Sequence, residues 1–128
     1  MLKNILAIAA FSLLFVTNAI AGPFDDALHA NYERNYAKAY AILVSCVERD
    51  EGGCQWLLGA YYETGVHVSA DIVLAYKWYA LAPNARRNAM SISAEARDRI
   101  AKLMTPAELQ RARELIRQWQ AEKRPKKR

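Results

Sequence analysis

The sequence predicts an all-α protein: a short α-solenoid of antiparallel helix pairs closed by a C-terminal capping helix pair. Three observations lead there. Glycine and proline are few, five and four in 128 residues, and they fall at joints between apolar-periodic segments. No stretch alternates apolar and polar residues as a half-buried strand would. The middle of the chain repeats itself at an offset of 36. Such a period suits stacked helix pairs, because one pair alone cannot bury its apolar face.

Helices are expected near 24–33, 36–49, 54–64, 70–82, 88–103 and 106–122. The repeat sets the register of the second and fourth. Asn35 aligns with Asp71, Ala39 with Ala75, Tyr40 with Tyr76, Ile42-Leu43 with Trp78-Tyr79, and Cys46 with Ala82. Each copy starts on a short polar residue that can cap free N–H groups. Each then carries an alanine small enough for close helix contact, a bulky pair and a small residue near its end. The third helix holds Gly59, which lets a neighbour approach closely. It stops at Gly65, a residue suited to the left-handed position after a helix. Ser69 or Asp71 opens the fourth. Beyond it the repeat weakens: Ala94 falls opposite Leu58 and Glu95 opposite Gly59. The stretch 88–103, with Ile100 and Leu103 at helical spacing, is therefore read as a diverged capping copy. The last helix has the clearest start. Thr105-Pro106-Ala107-Glu108 combines a capping threonine, a proline at the first helical position and a glutamate that can reach back. Leu109, Ala112, Ile116 and Trp119 then share one stripe, and Pro125 limits the far end.

The ends of the chain speak to compartment. Lys3, the apolar run Ile5–Val16 and Asn18-Ala19-Ile20-Ala21 follow the order of a secretory signal peptide over residues 1–21. The run is short for a membrane span, which needs ~20 apolar residues. Residues 22–123 are then one helical domain and 124–128 a basic tail, and an exported, periplasmic or secreted chain is expected. Charge is unevenly spread. Gly22–Pro83 has four Lys/Arg against eight Asp/Glu; Asn84–Arg128 has thirteen against five. Weak contact of the basic half with an anionic membrane surface is one reading of that asymmetry. Nucleic acid is not expected as a partner, because no basic stripe is interleaved with aromatics.

Cys46 and Cys54 are the only cysteines. One lies near the end of a helix and the other at the start of the next, with Gly52 and Gly53 expected to make the turn. Helices packed 8–10 Å apart can bring such positions within bridging range, and export supplies an oxidising environment. A disulfide is expected. A structural zinc site needs four ligands, and His29 and His67 show no ligand spacing to the cysteines. A redox centre usually shows C-x-x-C. Neither a metal nor a cofactor is expected.

The segment Q-W-L-L-G-A-Y-Y-E-T-G-V-H-V-S-A-D-I-V-L-A-Y-K-W-Y-A-L-A, Gln55–Ala82, resembles a Sel-1-like repeat (SLR), a TPR-like helical repeat. The matching positions are Leu58, Gly59, Tyr62, Gly65, Val68, Asp71, Ala75, Trp78, Tyr79 and Ala82. His67 departs from the pattern, standing where a second glycine is usual. The resemblance implies a right-handed solenoid in which Leu58, Gly59, Tyr62, Gly65, Ala75, Trp78, Tyr79 and Ala82 serve packing. The cysteine spacing is similar to that of secreted, cysteine-rich SLR proteins, in which the pair staples two helices of a repeat.

For function, the sequence lacks the G-x-S-x-G, H-E-x-x-H and S-x-x-K signatures of catalysis, and no catalytic residue is assigned. The aromatic load is more telling. Tyr32, Tyr36 and Tyr40 step by four, and Tyr76 recurs at the register of Tyr40. Tyrosine gives contact area at low entropic cost. A non-catalytic module is expected that holds a protein or peptide partner of the cell envelope at Tyr36, Tyr40 and Tyr76. Two alternatives stand beside it: a small envelope hydrolase acting on a β-lactam or peptidoglycan fragment, and a surface-associated protein that binds anionic envelope components through its basic half.

Overall fold

The computed structural model describes residues 21–49, 51–82 and 87–125, with side chains from Ile92 onward in the fifth helix. The expected signal segment, apart from Ala21, and the end of the basic tail lie outside these residues. The described regular structure is all helical: α1 (Pro23–Tyr32), α2 (Tyr36–Val47), α3 (Gly52–Thr64), α4 (Ile72–Leu81), α5 (Arg87–Ala101) and α6 (Pro106–Lys123). The expected spans differ from these by no more than two residues at any end, as follows when starts and stops rest on local capping.

The caps show why. Asn35 accepts the Lys38 N–H at 3.2 Å, and Asp71 accepts those of Val73 and Leu74 at 2.9 and 3.0 Å. The same offset thus carries the same function in both copies. Thr105 Oγ1 accepts the Glu108 N–H at 3.2 Å while the Glu108 carboxylate accepts the Thr105 N–H at 2.8 Å, a reciprocal pair that starts α6. Pro23 occupies the first position of α1, and the Gly22 N–H is taken by the Asp25 carboxylate at 3.0 Å.

Burial follows the repeat. Ala39 and Ala75 are both fully buried, as are Cys46 and Ala82, while Leu43 and Tyr79 fill the bulky position. The larger core cluster joins α1 (Ala27, Ala30), α2 (Leu43, Cys46), α3 (Leu57, Leu58, Tyr61) and Trp78 of α4. A second, smaller cluster joins Ala75 and Tyr79 of α4 to Ile100 of α5. Helix α4 is the common element, packing against α3, α5 and α6. Among the described residues α5 and α6 pack on α4 rather than chiefly on each other. They close the fold as two separate caps.

Two glycines act by what they leave out. A Cβ on Gly59 would stand 2.8 Å from the Tyr79 ring, so α3 and α4 meet at this residue. A Cβ on Gly53 would stand 2.9 Å from the Phe24 ring of α1. Gly52 and Gly53 do not form the inter-helix turn that their composition suggests; they are the first two residues of α3. The small size of Gly53 admits the Phe24 ring beside the helix start, a long-range contact that a turn position would not need.

Cys46 and Cys54 form a disulfide with a Cα separation of 6.0 Å, joining the end of α2 to the first turn of α3. The end of α6 is fastened by charge and rings. Lys123 donates to the Glu48 carboxylate at 2.9 Å and to the Glu48 carbonyl. The Trp119 ring stands edge-on to Trp78 at 5.0 Å, with the Lys77 and Lys123 ammonium groups 4.9 and 4.7 Å from its centroid. No helix among the described residues is long and apolar enough to cross a membrane.

Candidate functional site

The chain between α3 and α4 builds the site. Gly65 adopts φ +71° and ends α3, its N–H donating to the Tyr61 carbonyl at 2.9 Å. The loop then folds back, so that the Asp71 N–H reaches the Tyr62 carbonyl at 2.8 Å. This path forces His67 to φ +61°, a region a β-carbon disfavours. A glycine at this position would relieve the strain. Histidine instead places its imidazole 5.2 Å from the Tyr40 ring, tilted by 49°.

Tyr40 and Tyr36 are four apart on α2 and share one side of it. The Tyr40 hydroxyl lies 3.3 Å from that of Tyr62 on α3. Tyr36 stands edge-on to Tyr61, 6.4 Å between centroids and 78° between planes. The Tyr61 hydroxyl donates to Asn31 Oδ1 at 2.9 Å, which ties the group to α1. Tyr61 is buried, Tyr40 and Tyr62 are half-buried, and Tyr36 and His67 are exposed. Tyr32, at the end of α1, is 88% exposed at the α1–α2 turn. Burial, the Tyr40 hydroxyl and the Asp71 charge push Tyr62 up to about 12. Its phenol stays neutral at ordinary pH.

Tyr76 borders the second, α4–α5 cluster, which Tyr62 also touches; Tyr62 lies against the larger cluster as well. Tyr36 and Tyr40 are thus gathered around Tyr61 and Tyr62. Among the described residues no aromatic pair joins Tyr76 to them. His67 was visible in the sequence only as a departure from a glycine pattern. Its meeting with Tyr40 depends on the loop path, and spacing does not reveal that.

Other polar groups serve the frame. Glu63 receives Arg99 through two guanidinium bonds, one at 3.0 Å, and the Tyr79 hydroxyl at 2.7 Å. Arg99 holds the Glu63 carboxyl below the usual carboxylate range, while burial and Glu63 together push the Tyr79 hydroxyl far up. Asp25 and Asp26 are exposed in the first turn of α1. Cys46, Glu51 and Cys54 form the one close group of metal-ligating side chains among the described residues, with donor atoms within 4.8 Å of one another. The sulfurs are spent on the disulfide, so no thiolate is present to bind a cation. The Glu51 carboxylate lies 3.2 Å from Cys46 Sγ as a contact, since a disulfide sulfur has no proton to donate.

Comparison with family models, with curated proteins and with solved structures finds no match to this chain. The reading of the site therefore rests on its own residues.

Proposed function

We propose that this chain is a non-catalytic binding module of the cell envelope, an exported SLR-like solenoid of antiparallel helix pairs that holds a segment of a partner protein. The observation that carries the reading is the patch formed by Tyr36, Tyr40, Tyr62 and His67. Its rings are half-buried or exposed rather than absorbed into the core. One of its members keeps a strained backbone at an exposed position where glycine would fit without strain. Strain held at a solvent-facing side chain fits a role for that side chain beyond packing. Export is supported by the disulfide, a bond that persists in oxidising compartments, and by the order of residues at the N-terminus.

The test is site-specific photo-crosslinking in intact cells. A photoreactive residue replaces Tyr40 in one strain and Arg113, on the exposed face of α6, in another. A discrete protein adduct from position 40 alone is expected. Adducts from position 113 alone, or none from either, would overturn the assignment.

A further inference from the structure

The patch combines half-buried and exposed rings, tyrosine hydroxyls and the acidic neighbour Asp71, and this combination selects a partner. Two hydroxyls 3.3 Å apart can share only one proton between them, so lone pairs of the Tyr40–Tyr62 couple remain available to an N–H donor. Asp71, whose charge is felt at Tyr62, caps α4 and has no ion-pair partner among the described residues. Glu33, at the α1–α2 turn, lies 3.4 Å from His29. The half of the chain that carries the patch has twice as many acids as bases, eight against four. Most of those bases are engaged or turned away. Arg49 pairs with Glu51 and Lys77 lies over Trp78. Lys38 is two residues on from Tyr36, near the opposite side of α2. Arg34 stands two residues before Tyr36 in the α1–α2 turn. Tyrosine faces attract cations through their ring quadrupole, and guanidinium adds stacking and a fork of donors.

We infer that the Tyr36–Tyr40–Tyr62–His67 patch takes a cationic segment, an extended stretch of a partner protein that lays an arginine or lysine side chain against the Tyr40 and His67 rings. This inference rests on the binding-module reading and narrows it to one chemistry of partner.

The probe is the blocked peptide acetyl-Gly-Arg-Gly-Arg-Gly-amide, with acetyl-Gly-Glu-Gly-Glu-Gly-amide as the opposite charge. Ring C–H resonances of Tyr36, Tyr40 and His67 are followed by NMR. The arginine peptide should give saturable shifts at these rings below about 5 mM, corresponding to ~3 kcal/mol or more, and the glutamate peptide none. Binding should weaken several-fold between about 50 and 300 mM salt as charges are screened. Tyr40→Phe keeps the ring face and should retain most of the affinity. Tyr40→Ala should lose about tenfold. His67→Gly relieves backbone strain, so its loss of about threefold cannot be laid to misfolding. Equal binding of the two peptides, shifts that survive Tyr40→Ala, or no saturation would overturn the inference. The two readings fail separately. A crosslinked partner whose contacting segment lacks lysine and arginine would overturn the cation preference while sustaining the binding site.

Discussion

A methyl group at Gly59 would meet a ring with no room to yield. The Tyr79 side chain is 4% exposed and its hydroxyl is anchored on Glu63. The 2.8 Å approach leaves helix separation as the only relief. Gly59→Ala should therefore cost about 1–3 kcal/mol, the usual range for overpacking a filled core, read as a lower urea midpoint at unchanged slope. His67→Gly should be close to neutral. It removes a left-handed penalty of about 1 kcal/mol, but glycine returns nearly as much entropy to the unfolded chain. The unfolding free energy should stay within about 0.5 kcal/mol of the parent's; a larger drop would mean that the Tyr40 stack supports the fold rather than the surface. Both residues could be located in the sequence, Gly59 by the helix pattern and His67 as its exception. Their contacts could not, because each is made with a residue on another element.

The disulfide and the Glu63 contacts act between elements. The bond joins α2 to α3 across eight positions of sequence separation, and a loop this short is worth about 2.5 kcal/mol in the chain-entropy description. Replacing both cysteines by alanine should lower unfolding stability by roughly that amount, and a thiol reductant should produce the same shift in the parent if it reaches the buried sulfurs. Glu63 ties α3 to α5 through Arg99 and to α4 through Tyr79. Its folded pKa lies below the usual 4.5. The native state thus binds fewer protons than the unfolded chain around that pH, and the contribution is present above about 4.5 and lost as pH falls through the folded value. Glu63→Gln should flatten the fall of the melting temperature between about pH 5 and 3; an unchanged slope would place the acid sensitivity in other carboxylates. Helix ends were legible at this scale because caps are local, as the Asn35 and Asp71 pair and the Thr105–Glu108 box show. The entry of Gly52 and Gly53 into α3 was not, since the Phe24 ring that packs against Gly53 comes from another element, α1. Nor was the docking of α5 and α6 on α4, because helical periodicity shows which face is apolar but not what covers it.

Across the whole molecule, the division of charge was fully legible, being a property of composition by position. What it faces became visible only with the fold. Arg111, Arg113 and Arg117 are exposed on α6, and Leu103, in the α5–α6 turn beside Lys102, is 72% exposed. Arg111 and Arg117 also line a shallow depression with Ala107, Gln110 and Glu114. Exposed arginines on α6 and an exposed leucine ahead of it suit the headgroup zone of an anionic bilayer, where each lysine or arginine near the surface is worth about 1 kcal/mol. Glu114 pairs with Arg117 and offsets part of that attraction. Weak, salt-sensitive binding to phosphatidylglycerol vesicles should follow, with little to neutral ones, measured by co-sedimentation. Arg111→Gln with Arg113→Gln should reduce it several-fold, because both charges lie on the exposed helix. Removing residues 124–128 tests the tail separately: loss on truncation with no effect of the α6 pair would move the contact from the helix to the tail. Binding that ignores salt and lipid charge would leave the asymmetry as a solubility feature. The aromatic patch on the acidic half should be indifferent to all of these changes, since its rings lie on α2, α3 and the loop that follows.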